Sequence, residues 1–259
     1  MIGIVYLLII IFANTIGAVS GMGGGVIIKP IFDFINAHEV SSISFYSSAA
    51  VLTMSVVSTY RQLRNGIKIN WSNVSGLAFG SIMGGYIGNV LFELFLEFYK
   101  NDSVTQGIQI ILTIITLLWS FFYILKGKKS YAFTSTICYI GTGFILGTLA
   151  SLLGIGGGPI NVSLLVLLFS MPIKEATVYS ICTILFSQLS KIITIGFTGG
   201  FSSYDLNILW YIIPAAIIGG ILGAKASGML NPQKISVVFQ IIILLVLLLN
   251  IYNGIQLFI

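Results

Sequence analysis

The chain has 259 residues, of which 57% are hydrophobic and only 7% are charged, whereas about 25% of an ordinary soluble domain is charged. A water-soluble protein of this length could not bury so much apolar surface, because surface-to-volume scaling limits the size of its interior. The composition therefore excludes a soluble enzyme, a nucleic-acid-binding domain and a disordered tail, despite a net charge of +5. The sequence is that of an integral membrane protein.

The apolar runs predict the membrane spans. A transmembrane helix needs about 20 mostly apolar residues to cross about 30 Å of hydrocarbon. Runs of this kind cover residues 2–20, 43–60, 74–95, 104–125, 132–151, 176–198, 207–229 and 235–258. No basic residue precedes the first run, so we expect it to stay in the protein as a span rather than to act as a signal peptide. The sequence thus predicts an all-α membrane protein with about eight transmembrane helices.

The basic residues of the loops predict an orientation. With eight spans, both termini lie on one face, together with Arg61, Arg64, Lys68, Lys126, Lys128 and Lys129. The other face then holds Lys100, Lys174, Lys225 and Lys234. Because short cytoplasmic loops carry an excess of Lys and Arg, this distribution favours cytoplasmic termini in a multi-pass protein of the cell inner membrane.

The sequence also repeats itself. Gly21-Met-Gly-Gly-Gly25 closes the first predicted span, and Gly154-Ile-Gly-Gly-Gly158 closes the fifth, 133 residues later. A Gly-Gly-x-x-Gly pattern at Gly84 recurs at Gly219, 135 residues later. These matches predict two four-span repeats, residues 1–130 and 131–259, within a single membrane unit, which is a common plan for transporters.

Each glycine cluster precedes a short apolar piece, residues 26–35 in the first half and 159–170 in the second. These pieces are too short to cross a bilayer and are typical of half helices or re-entrant segments. Either the first span of each half is one long broken helix, or the glycines turn a re-entrant hairpin. The choice decides between parallel and inverted repeats, and the sequence leaves it open.

The glycine clusters are the first candidate site. Glycine weakens a helix by about 1 kcal/mol relative to Ala, and the unpaired backbone that results is tolerated at membrane depth where it lines a wet cavity or packs against protein. The N–H groups of a new helix starting after each cluster form an anion site, with the positive end of the helix dipole behind them. The candidate backbone ligands are Gly23, Gly24, Gly25, Gly156, Gly157 and Gly158. The alternative is that the glycines only allow close helix packing.

Five polar side chains complete the candidate substrate site: Lys29, Ser55, Asn161, Gln188 and Lys191. Lys191 lies inside an apolar run, where a charge is costly and usually faces a cavity or a partner, although its ammonium could instead extend to the lipid headgroups. Ser55 could contact a ligand or bond back to its own helix. Lys29 and Asn161 could reach a ligand at the helix starts or join two helices.

The sequence carries little other chemistry. A single histidine, His38, and two cysteines without partner spacing, Cys138 and Cys182, predict no haem, zinc or disulfide site. We expect no catalytic residue, metal or cofactor. The acidic residues lie near span ends, which leaves Asp33 and Glu93 as the remaining proton carriers. The expected partners are a small anionic substrate and membrane lipid, without nucleic acid, and the sequence leaves homo-oligomer formation open.

The segments Val19-Ser-Gly-Met-Gly-Gly-Gly-Val26 and Leu152-Leu-Gly-Ile-Gly-Gly-Gly-Pro159 resemble the glycine motifs of the TauE/SafE sulfite exporter family. The later patterns at Gly84 and Gly219 add to the resemblance, which covers essentially the whole chain, whereas Lys29 departs from it. The resemblance implies a small inner-membrane permease for sulfur-containing or carboxylated organic anions, such as sulfite, sulfoacetate or thiosulfate.

Three other functions compete with a carrier. An anion channel is the nearest, and saturable, slow turnover would distinguish a carrier from it. An intramembrane enzyme would have only His38 as a histidine base and lacks a GxSxG motif. A non-transporting subunit of a larger complex is disfavoured by the short loops, which offer little surface to a partner.

Overall fold

The computed structural model describes residues 2–64, 70–126 and 129–258. The described chain contains α-helices and one short 3-10 turn, Leu206–Ile208, and no strand. The helices are α1 (Ile2–Ser20), α2 (Gly25–Ile35), α3 (Val40–Arg64), α4 (Trp71–Tyr99), α5 (Asp102–Lys126), α6 (Thr136–Leu152), α7 (Pro159–Phe169), α8 (Ile173–Thr198), α9 (Leu209–Met229) and α10 (Pro232–Phe258). This architecture confirms the predicted all-α membrane protein.

Each of the eight predicted spans corresponds to a helix. Seven described helices are long and apolar enough to cross a membrane, and the eighth, α6, has only 17 residues. Several helices extend beyond the apolar runs that predicted them. For example, α4 covers residues 71–99 rather than 74–95, because its ends are set by the N-cap at Asn70, whose side chain accepts from the N–H of Ser72, and by the left-handed C-cap at Lys100.

Both glycine clusters interrupt the helices and reverse the chain. The ring of Tyr6, near the start of α1, stacks on Phe32, near the end of α2, with 3.8 Å between ring centroids. In the second half, Tyr139 at the start of α6 stacks on Phe169 at the end of α7, at 3.9 Å. Each short helix therefore folds back along the helix before it. The glycines turn a re-entrant hairpin in both halves, which decides between the two alternatives.

The same turn closes both hairpins. The N–H of Gly23 donates to the carbonyl of Gly17 at 3.3 Å, and the N–H of Gly156 donates to the carbonyl of Ala150 at 3.2 Å. Gly23 and Gly156 have φ values of 77° and 67°, in the left-handed region that favours glycine. Both pairs are related by the 133-residue offset, so the sequence repeat corresponds to a repeated backbone structure.

The hairpins make the two halves run in opposite directions. Since the α1–α2 hairpin returns to the face from which it started, only α3, α4 and α5 run from one face of the protein to the other in the first half. Three crossings bring the chain to the opposite face, where the α6–α7 hairpin begins. The arrangement is an inverted repeat, as in many transporters. The origin of residues 1–130 and 131–259 by duplication stays a prediction.

The hairpins also change which loops share a face. We call the face at the start of α1 the N-terminal face; there Gly3 contacts the ring of Tyr211, at the start of α9. Arg61 and Arg64, at the end of α3, lie on the opposite face. The expectation that they share a face with the termini is wrong, because the first hairpin does not count as a crossing. Lys68 and Lys128 lie outside the described residues.

The halves are interleaved rather than side by side. Helix α1 packs along α9, and α4 packs along α6, so the first helix of each half pairs with the third long helix of the other. Glycines allow the close approach: a Cβ at Gly84 would lie 2.8 Å from the amide nitrogen of Thr148, and one at Gly219 would lie 2.8 Å from the Cβ of Asn14. The Gly84 and Gly219 patterns therefore serve helix packing.

Adding one methyl group tests this packing. In Gly147→Ala the new Cβ would lie 2.8 Å from the Cα of Ser81 on α4, so we expect the free energy of unfolding to fall by about 1–3 kcal/mol. Gly141→Ala, on the same helix, is the matched control, because no atom lies within 4 Å of its Cβ. Thermal unfolding in detergent measures both variants. Equal midpoints for the two would contradict the α4–α6 contact.

Candidate functional site

The two glycine turns meet in the interior of the protein. A Cβ at Gly23 would lie 3.7 Å from the carbonyl oxygen of Gly156, and one at Gly25 would overlap the carbonyl of Ile155. The structure thus brings together all six candidate glycines, Gly23, Gly24, Gly25, Gly156, Gly157 and Gly158, and all are buried. From this point α2 runs to the N-terminal face and α7 to the opposite face.

The geometry concentrates positive electrostatic potential at this contact. The first N–H groups of a helix have no partner within it, and they carry the positive end of the helix dipole. Because α2 starts at Gly25 and α7 at Pro159, both positive ends lie at the centre of the molecule. Two opposed helix starts favour an anion over a cation at this position.

Two apolar side chains flank the turns. Val51 on α3 lies 3.5 Å from the Cβ position of Gly23, and Ile184 on α8 lies 3.2 Å from it. They are equivalent residues of the two halves, 133 positions apart. One helical turn further along, Ser55 follows Val51 toward the opposite face, and Gln188 follows Ile184 toward the N-terminal face. The contact between the turns therefore separates Ser55 from Gln188.

Lys191 is held inside the protein. Its side chain is 0% exposed, and its ammonium donates to the Oγ of Ser44 at 2.7 Å and to the carbonyl of Ser151 at 3.1 Å. The ammonium also lies 5.3 Å from the ring centroid of Phe92. The alternative in which Lys191 extends to the headgroups is wrong, because these groups bind it in the interior. Its position is on the N-terminal side of the glycine turns.

Lys29 forms a second buried cation in the same region. Its ammonium lies 2.8 Å from the Oδ2 of Asp33, and both side chains are buried. A Cβ at Gly154 would lie 3.3 Å from the Cε of Lys29 and 2.6 Å from the Oγ of Ser44, the partner of Lys191. Gly154 therefore lies beside Lys29 and beside Ser44, the residue that binds Lys191. Asp33, one of the two expected proton carriers, is engaged by Lys29.

The amide candidates are buried without full hydrogen bonding. Neither side-chain atom of Asn161 has a partner among the described residues, and the Oε1 of Gln188 also lacks one. The Nε2 of Gln188 donates to the Oγ of Ser187 at 3.4 Å. Most buried polar groups in proteins have partners. The unpaired amide of Asn161 and the unpaired Oε1 of Gln188 are suited to a polar ligand.

Ser55 bonds back to its own helix, which is the alternative to a ligand contact. Its hydroxyl donates to the carbonyl of Leu52 on its own helix at 2.8 Å. Two residues that belong to the site were absent from the predicted set: Ser44 and Ser151, which bind Lys191. Ser44 lies on α3, and the need of a buried ammonium for acceptors is the signal that could have identified it. Nothing in the sequence pairs Ser151 with Lys191.

Breaking the buried ion pair tests its role in stability. Lys29→Met leaves the Asp33 carboxylate buried without its partner, and we expect a loss of about 3–5 kcal/mol. The double variant Lys29→Met with Asp33→Leu removes both charges, and it is expected to recover most of that loss. Thermal unfolding in detergent measures both. Midpoints that fall equally in the single and double variants would show that the ion pair is not the cause.

An inverted repeat with two broken helices that meet at its centre is the plan of many membrane transporters. Residues 6–250 match the family described as Sulfite exporter TauE/SafE, and the chain belongs to that family. It is 28% identical to the probable membrane transporter protein YunE of Bacillus subtilis, over 95% of this chain and 96% of the relative. It is 27% identical to the probable membrane transporter protein MJ0441 of Methanocaldococcus jannaschii, over 92% and 91%. No solved structure matches the chain. The protein is a membrane transporter.

Proposed function

We propose that this transporter carries a small sulfur-containing or organic anion, such as sulfite, a sulfonate or thiosulfate, through a site between the two halves. The observation that carries the proposal is the meeting of two helix starts beside the buried ammonium of Lys191. Helix N-termini and a desolvated cation stabilise the same kind of ligand, a compact anion. The description of the family as sulfite exporters supports the substrate class.

The energetics favour export. An anion that leaves a cell with an inside-negative potential gains about 2.3 kcal/mol per charge per 100 mV. Such a transporter needs no coupling ion to move an anion outward. The contact between the two glycine turns supports a carrier that changes conformation, rather than a channel that is open from one face to the other.

Flux measurements in vesicles test the proposal. Purified protein in liposomes is expected to move thiosulfate or sulfite in response to an imposed potential, with a rate that saturates. Hydrogen bonds to charged groups contribute about 1.5–3 kcal/mol, so Lys191→Met should weaken the apparent affinity about tenfold or more. Lys234→Met is the matched control, because Lys234 is exposed at the start of α10. Flux no greater than that of empty vesicles for every anion of this class would refute the proposal.

We also infer that the N-terminal face lies outside the cell. The described basic residues at the ends of the long helices on the opposite face are Arg61, Arg64, Lys126, Lys129, Lys174, Lys225 and Lys234. The N-terminal face has Lys100 in the corresponding position. Because Lys and Arg are enriched on the cytoplasmic side, the opposite face is cytoplasmic and both termini are outside.

Thiol labelling tests the orientation. In a background with Cys138→Ser and Cys182→Ala, an impermeant reagent added to intact cells should label Asn101→Cys on the N-terminal face. It should not label Lys234→Cys on the opposite face until the membrane is permeabilised. Both positions are exposed, so their difference in labelling reports the side of the membrane. The reverse pattern would place the termini in the cytoplasm.

A further inference from the structure

Two cavities of nearly equal size lie on opposite faces of the protein. The basic cavity, of about 570 Å³, is on the face opposite the N-terminus. Its lining includes Tyr60, Arg61, Arg64, Lys174 and Lys225. The acidic cavity, of about 590 Å³, is on the N-terminal face, and its lining includes Glu39, Ser41, Glu93, Glu97 and Thr194.

The two cavities occupy equivalent places in the two halves. Lys174 and Ser41 are 133 residues apart, as are Arg61 and Thr194, and this is the offset of the glycine turns. The other equivalent pairs follow the 135-residue offset of the Gly84 and Gly219 patterns: Lys225 with Val90, Gly228 with Glu93, and Met229 with Leu94. Five of the seven residues that line the basic cavity thus have a counterpart in the acidic one. The cavities are one feature of the repeat, present once on each face.

The charges of these equivalent cavities are opposite. The basic cavity is lined by four cations and no carboxylate, and the acidic cavity by three carboxylates and no cation. The only ion pair among the described residues is Lys29–Asp33, so no described partner neutralises these charges by direct pairing. Tyr204 also lines the acidic cavity. Burial and the negative charge of Glu93 raise the pKa of Tyr204, so its side chain stays a neutral hydroxyl.

Each cavity lies at the outer end of a helix that reaches the glycine turns. On α3, Arg61 borders the basic cavity, and the neighbouring Gln62 donates to the buried Ser58 at 3.1 Å, two helical turns from Val51. On α8, Thr194 borders the acidic cavity and follows Lys191 by one turn. Polar groups therefore continue from both cavities toward the centre.

We propose that the two cavities are the two mouths of the transport route, and that the basic cavity is where the anion is captured while the acidic cavity is where it is released. This inference rests on the proposed function. A cleft lined by one sign of charge raises the local concentration and the association rate of an oppositely charged ligand by about 10–10³-fold. The guanidinium groups of Arg61 and Arg64 also match the paired oxygens of a small oxyanion.

Kinetics measured separately from each face test this assignment. The double variant Arg64→Gln with Lys225→Gln should raise the KM for thiosulfate about tenfold at low ionic strength, when thiosulfate is supplied on the face that holds the basic cavity. The difference should shrink as salt is raised, because the charges are exposed and screened. Glu97→Gln should lower the KM from the N-terminal face. Labelling at Asn101→Cys, on the N-terminal face, reports which face of each vesicle population is outward.

The matched control is Lys129→Gln with Lys234→Gln, which removes the same charge from the same face outside the cavity lining. A KM that changes equally in the control and the cavity variant would overturn the inference, as would no change in the cavity variant. A change in KM that occurs only in vesicles of anionic lipid would show that the basic cavity binds a lipid headgroup, and it would also overturn the inference. Wild-type protein that moves no thiosulfate would instead refute the proposed function.

Discussion

The contact between the two glycine turns is the constraint on which the rest of the structure depends. Gly21, Gly23, Gly154 and Gly156 adopt left-handed backbone conformations, and a side chain at Gly25 would overlap the opposite turn. These conditions fix glycine at the centre for two independent reasons, backbone geometry and space. Because the turns meet, the two short helices start at one point and extend to opposite faces. Each turn also reverses the chain, so the second half begins on the opposite face and its helices run in the inverted direction.

The sequence predicted the helices and their interruptions well, because hydrophobic length and glycine act locally along the chain. Apolar runs located α1 and α3, and the clusters at Gly21 and Gly154 marked both breaks. The direction of α2 after the break could not be predicted from the sequence. It depends on the stacking of Phe32 on Tyr6, and no pattern in the sequence marks these two aromatic residues as partners. The misplaced face of Arg61 and Arg64 followed directly from that one undecided reversal.

The sequence predicted only part of the candidate site, because local features can be read from the chain whereas contacts between distant residues cannot. The glycines could be assigned because their chemistry lies in the backbone and their spacing repeats. Lys191 could be singled out by its cost in an apolar run, but its acceptors on α3 and α6 come from distant parts of the chain. The buried lysines are not repeated between the two halves. At the 133-residue offset, the counterparts of Lys29 and Lys191 are Val162 and Ser58. The two halves share a backbone design, whereas their charges differ.

The pairing of α1 with α9 has a consequence for biogenesis. Helix α1 leaves the ribosome well before α9, which carries Tyr211, the residue that contacts Gly3 of α1. At about 5–20 residues per second, synthesis of the intervening chain takes about 10–40 s. During that interval the face of α1 that packs along α9 is without this partner. The α1–α9 contact can therefore form only after α9 has been inserted into the bilayer.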